Sequence, residues 1–170
     1  MVREQLDRME STVTHQLNRA AVSGPVVVGR AVDVGVLVSR LLRALGTAYQ
    51  DRAIEVEVSI PERLMVRGDE RDLMEMLGNL LENAFKYTRS RIEIRALPDE
   101  RVCIEIADDG PGIEPALRSE VLDRGTRADQ VQPGQGIGLA MVQDLLEAYS
   151  GHLEITDSQL GGASIRLFIG

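Results

Sequence analysis

The chain has 170 residues, 44% of them hydrophobic, enough for one core of ordinary domain size plus a short extra element. Its 27 acidic and 19 basic residues leave a net charge of −8, so a nucleic-acid backbone or an anionic membrane surface is repelled on average, and an anionic ligand has to be met by local positive groups or a metal ion. Trp is absent, aromatics make up 3%, and Cys103 is the one cysteine, which excludes stacking platforms for single-stranded nucleic acid and an internal disulfide.

Leu6, Met9, Val13, Leu17 and Ala20 recur at three- and four-residue steps, so residues 3–22 read as an amphipathic helix or bundle seam that needs a partner. "SGPVVVG" (23–29) reads as a linker, after which Asp33 can cap a helix to about Gln50 with Val34, Leu37, Val38, Leu41, Leu42 and Leu45 inside. "AIEVEVSI" alternates as a half-buried strand, and "LMVRG" is a short second one. Asp69 then caps a helix over about 70–87, buried through Leu73, Leu77, Leu80, Leu81 and Ala84. "RIEIRAL" and "VCIEIAD" form a hairpin across "PDER", with Cys103 a buried structural residue of the second strand. From Asp108 to Gln135 periodicity fails, which predicts a long functional loop. A helix from about Ile137 to Tyr149 follows, then "HLEIT" and "ASIRLFI" joined at Gly161-Gly162. This order predicts an α+β fold, a two-layer sandwich of helices on a mixed, largely antiparallel sheet. No apolar run approaches the roughly 20 residues of a membrane span, and no signal peptide is visible, so the sequence reads as cytosolic.

Three places carry chemistry. On the helix over 70–87, Asp72, Glu75, Asn79, Glu82 or Asn83, and Lys86 share the face opposite the apolar stripe. A solvated face is the plain reading for Asp72 and Glu75. Asn is a poor mid-helix residue because its amide competes for backbone groups, so Asn79 and Asn83, one turn apart, mark a hydrated or ligand-facing surface. "DDGPGI" (108–113) places a carboxylate at a strand end before two glycines, either a plain turn or a pocket acceptor. "PGQGIGLAMV" (133–142) leads glycines into a helix start, where a phosphate can approach unpaired N–H groups. Neither GxGxxG nor GxxxxGK[ST] is present, which excludes the Rossmann and P-loop readings.

Taken in order, "NLLENAFKYT", "DDGPGI" and "GQGIGL" resemble the N, G1 and G2 boxes of the histidine-kinase branch of the Bergerat-fold (GHKL) ATP-binding domains, over roughly residues 31–170. The wording of "FKYT", "LDRGTRADQVQPGQGIGLAMV" and "DSQLGGASIRLFIG" resembles the PhoQ subfamily of two-component sensor kinases. The resemblance implies a Bergerat-type fold, with three helices on the sheet and the N-terminal amphipathic helix in addition. It divides the chain into the end of a dimerisation helix (1–23), a linker (24–30) and a catalytic ATP-binding domain (31–170).

It also implies roles. Asp108 would accept from the adenine amino group, Asn83 would ligate Mg²⁺ with Asn79 as a second candidate, and Lys86, Tyr87 and Arg127 would contact the nucleotide. Gln135 with the amides around Gly136 and Gly138 would cover the triphosphate, and Gly110, Gly112, Ile113, Gly134, Ile137 and Leu139 complete the implied ATP-binding set. Asn79, Glu82, Asn83 and Lys86 form the implied catalytic group, Glu82 as an aid in removing a proton from the acceptor imidazole or as plain helix surface. Hydrolytic relatives of the fold carry a glutamate where this chain has Asn79, so transfer to a protein side chain is expected over attack by water.

The chain also departs from the family pattern. Leu122 and Gly125 stand where the family's F box has phenylalanines, Gln132 replaces a basic residue, and no acceptor histidine is present, since His15 reads as helix surface and His152 as structural. The expected function is therefore Mg-ATP binding and transfer of the γ-phosphate to a histidine of a dimerisation domain, with a response regulator downstream, a membrane reached only through upstream regions, and slow or no turnover alone. Residues 113–134 are expected to order as a lid around nucleotide. A serine protein kinase of the same fold, as in anti-sigma factors, and a non-catalytic nucleotide-binding module are the alternatives.

Overall fold

The computed structural model describes residues 29–97, 99–122 and 137–170. The stripe over 3–22, His15, most of the linker, and Arg127, Gln132, Gly134, Gln135 and Gly136 lie outside the described residues.

Gly29 leads into β1 (Arg30–Asp33), which pairs antiparallel with β3 (Met65–Gly68) as a separate ribbon. Between them run α1 (Val34–Ala48) and β2 (Glu55–Ser59). Asp33 caps α1 by accepting from the Val36 amide at 3.3 Å. Its stripe is as expected, with Val34, Leu37 and Val38 buried and Leu41, Leu42 and Leu45 packed against the core.

α2 (Glu70–Tyr87) is the central element. Asp69 accepts from the Arg71 amide at 2.7 Å, and Glu70 and Asp72 in the first turn with Lys86 in the last complement the helix dipole. Leu73, Leu77, Leu80 and Leu81 are each no more than 1% exposed. A side chain of this kind contributes about 1.5–3 kcal/mol on burial.

β4 (Arg91–Leu97), β5 (Val102–Asp108), β6 (His152–Asp157) and β7 (Ala163–Ile169) join β2 in one sheet ordered β2-β4-β5-β7-β6, antiparallel except for the β2–β4 pair. The register lines up Ile94, Ile106, Ile165 and Ile155 across four strands, and Ile104, Leu167 and Leu153 across three. These rows form the floor on which α2 and α4 (Ile137–Ala148) lie. On the opposite face Arg95, Glu105, Arg166 and Glu154 share one row.

Four features differ from the sequence reading. β1 was not expected, because its four residues carry little apolar signal and gain a strand's hydrogen bonds only from β3. The expected loop after Asp108 contains α3 (Pro115–Leu122). No residue of α3 is buried, so it has no stripe to read; it is held by Arg118, which donates to the Ile113 carbonyl at 3.0 Å and to Asp157 at 2.5 Å. β2 is less buried than its alternation suggested, Val58 being 47% exposed, because it is a sheet edge. Asp72 is more than solvated surface: its carboxylate accepts from the Tyr149 hydroxyl at 2.8 Å, while that oxygen accepts from the Asp69 amide at 3.0 Å. Burial, together with the Asp72 carboxylate, pushes the Tyr149 phenol well above its ordinary range.

Candidate active site

Asn79 and Asn83 are half-buried on α2, one turn apart, and the start of α4 lies directly against them. A Cβ at Gly138 would stand 3.2 Å from Asn79 Oδ1 and 3.8 Å from Asn83 Nδ2. A side chain there would crowd Asn79, so glycine lets the first turn of α4, whose amides lack intrahelical partners and carry the positive dipole end, lie close against both carboxamides. Asn79 is fixed by donating from Nδ2 to the Glu75 carbonyl at 2.8 Å. Leu139, at 3% exposed, anchors the helix in the core one residue later. Glu82 and Lys86 are exposed on the same helix, and Lys86 Nζ sits 5.3 Å from the centre of the Tyr87 ring, a cation–π distance.

Asp108 ends β5 at 7% exposed. Its Oδ1 accepts from the Gly110 amide at 2.8 Å and the Ala163 amide at 3.3 Å, and its carbonyl accepts from the Gly162 amide at 3.1 Å. Burial raises its pKa; the two backbone amides oppose that rise and the neighbouring Asp109 charge adds to it. The glycines make room for this carboxylate. A Cβ at Gly162 would lie 2.2 Å from Asp108 Oδ1, and one at Gly110 would lie 2.4 Å from the Tyr87 carbonyl. Gly112 has φ +75°, the left-handed region, as the chain turns away toward half-buried Ile113.

The end of α2 is held from two further sides. From the turn before β2, Arg52 donates to the carbonyls of Phe85 at 2.6 Å, Lys86 at 3.4 Å and Thr88, meeting the carbonyls a helix end leaves unpaired. From the end of β5, the Asp109 carboxylate collects Thr88 Oγ1 at 2.6 Å, the Arg89 amide at 2.8 Å, and the Ser90 hydroxyl at 2.7 Å. Burial works against the Asp109 charge, but these hydrogen bonds outweigh it and hold the carboxyl far below the usual range.

The structure thus brings together Asn79, Asn83 and Gly138, and separately Tyr87, Asp108 and Gly110, the two groups joined through α2. Arg52, Thr88, Asp109 and the Ala163 amide were not singled out in the sequence. The signal for Ala163 was the double glycine before it, one glycine more than a turn requires.

Helices on one face of a mixed five-stranded sheet, with a helix start against two carboxamides and a buried carboxylate at a central strand end, form an α+β fold of the GHKL type. Residues 68–170 match the model of the histidine kinase-, DNA gyrase B-, and HSP90-like ATPases, and the chain belongs to that family, which implies ATP binding. It is 38% identical over 170 residues, 98% of its length, to the virulence sensor histidine kinase PhoQ of Salmonella typhimurium strain LT2. It is 36% identical over 169 residues to the sensor protein PhoQ of Escherichia coli strain K12, again over 98% of its length. The chain spans 35% of the length of each of these relatives. Among solved structures it is similar to the mycobacterial sensor histidine kinase MprB, with TM-score 0.71, 30% identity, and coverage of 84% of this chain and 97% of that one. The fold is shared with full-length ShkA, at TM-score 0.76 and 24% identity over 98% of this chain and 36% of that one. Among the described residues no helix is long and apolar enough to cross a membrane.

Proposed function

We propose that the chain is the catalytic ATP-binding part of a sensor histidine kinase, which binds Mg-ATP and transfers the γ-phosphate to a histidine of a dimerisation domain. The observation that carries this is the placement of two carboxamides, Asn79 and Asn83, against the side-chain-free start of α4. Amide oxygens there suit a hard cation that keeps several waters and leans on phosphate oxygens, and Asn83 is the residue assigned to hold it, with Asn79 second. A bound Mg²⁺ supplies charge neutralisation on the transferring phosphoryl group.

The chain's own groups do the rest. Asp108 reads the adenine amino group as a buried acceptor, and Lys86 and the amides at the start of α4 meet the polyanion that the −8 background repels. Asn79 has no basic function at neutral pH, so water at the terminal phosphate is not activated there. Glu82, exposed beside Asn83, is assigned as an aid in removing the acceptor imidazole's proton, with plain helix surface as its alternative. Arg127 in the lid, and Gln135 with the amides around Gly136 and Gly138, complete the phosphate contacts in this reading. The partners are the dimerisation domain, a response regulator, and, through upstream regions of a longer protein, a membrane.

Calorimetry of ATP with and without Mg²⁺, on wild type and Asn83→Ala, tests the reading. Tight binding only with Mg²⁺, weakened at least tenfold by Asn83→Ala, is expected; no binding, or indifference to Mg²⁺, overturns the metal assignment. Transfer of label from ATP to a supplied histidine-containing dimerisation domain separates a kinase from a nucleotide-binding module, and label on a serine would instead favour the anti-sigma type.

A further inference from the structure

We propose that Asp109 is a positioning residue of the nucleotide site, a strap that sets the adenine-reading carboxylate of Asp108 against the last turn of α2 so that both ends of one nucleotide are met together. This rests on the ATP reading above.

Asp109 directly follows Asp108, and its side chain binds three consecutive residues that leave α2. Oδ1 accepts from Thr88 Oγ1 at 2.6 Å, Arg89 N at 2.8 Å and Ser90 N at 3.0 Å, while Oδ2 accepts from Ser90 Oγ at 2.7 Å. Its own amide donates to the Arg91 carbonyl at 3.2 Å. Arg52 holds the same helix end through three carbonyls from the other side. Arg89 and Ser90 are exposed residues within reach of water, and the buried Thr88 hydroxyl also has the Arg91 carbonyl at 2.9 Å. A half-buried carboxylate collecting them fixes geometry rather than filling an unmet need. It does so where its charge makes the neighbouring Asp108 carboxylate harder to ionise, a local conflict of the kind found at functional sites. Asn83, Lys86 and Tyr87 all lie within the last two turns of the helix that the strap holds. Two half-sites held at a fixed separation bind a ligand spanning them more tightly than the same half-sites on a loose joint.

The test compares a ligand that spans the site with one that occupies a single end: Mg-ATP by calorimetry and adenosine by NMR titration, on wild type, Asp109→Ala, Asp109→Asn and Thr88→Val. Asp109→Ala is expected to weaken ATP at least tenfold and adenosine less than threefold. Asp109→Asn keeps the Oδ1 acceptor and can donate to the Ser90 hydroxyl, so it should stay within threefold of wild type for both ligands. Thr88→Val, which removes the hydroxyl's contacts with Asp109 and the Arg91 carbonyl and leaves the Arg89 and Ser90 amides on Asp109, should weaken ATP about threefold, and it carries the test if Asp109→Ala does not fold. Equal losses for ATP and adenosine, an unchanged ATP affinity in the Ala or Val variant, or an Asn variant as weak as Ala would each overturn the strap. Wild type that does not bind ATP overturns the function proposed above and the strap with it, whereas wild type that binds alongside indifferent variants overturns the strap alone.

Discussion

Glu105 and Asp108 lie three residues apart on β5 and are 4% and 7% exposed, yet they are treated in opposite ways. Glu105 is saturated: Arg95 donates to it at 2.5 Å, Arg166 at 3.1 Å and Ser164 at 2.8 Å. Burial alone would raise its pKa, but these partners outweigh burial and lower it. Asp108 has backbone amides and a neighbouring like charge instead of a cation, and its pKa rises. Glu105 is a carboxylate the fold has answered, and Asp108, in the function proposed above, is the one that answers a ligand. A buried acceptor without a cationic partner marks a binding site better than burial or charge does alone.

The largest effect that would break this comparison is at Asp108. Asp108→Asn should cut ATP affinity roughly 100-fold, the worth of a charge-assisted bond, while the thermal midpoint at neutral pH stays level or rises because a buried charge is gone. A marked loss of stability would make Asp108 a second structural carboxylate. Next comes Glu105→Ala, which leaves two half-exposed guanidiniums without their shared partner. It should lower unfolding free energy by about 2 kcal/mol in denaturant titration, with ATP affinity of the folded protein within about twofold; a large affinity loss would refute the division of labour.

The smallest effect, and the sharpest, is in pH. The pKa of Glu105 is lowered in the fold, so its stabilisation is full above the ordinary carboxylate pKa and is lost as pH falls through the folded value. Asp108 is raised, so its contribution is most favourable in acid and is lost as pH rises from the ordinary value through the folded one. Unfolding measured between pH 3 and 7 should therefore show wild type gaining stability over Glu105→Gln as pH increases, and losing it relative to Asp108→Asn. Slopes of the same sign would sink the contrast.

These two residues also show where the sequence is legible. In "VCIEIAD" the alternation places Glu105 on the solvent face; its burial comes from Arg95 and Arg166, brought over it by a register the local sequence does not state. Asp108 was legible through the glycines after it and the resemblance they carry. α2 was legible in full because its apolar residues repeat at helical spacing along an 18-residue helix, whereas α3 packs only Val121 and Leu122 partly against the core and β1 depends on a partner more than thirty residues away. The approach of Gly138 to Asn79 was not read from the sequence, because the meeting of a helix start with a distant helix face needed coordinates.

Tyr149 has a consequence of another kind. A Cβ at Gly29 would fall 2.3 Å from Gly68 Cα, and one at Gly68 would fall 2.6 Å from the Tyr149 ring, so two bare backbones and an aromatic ring are stacked without a gap. Evolutionary drift has little room there. Any side chain gained at position 68 must displace the ring, and with it the α4 end opposite the one that rests on Asn79, so variation among descendants of this chain should be tolerated on the rims of α1 and β2 long before it is tolerated at this junction.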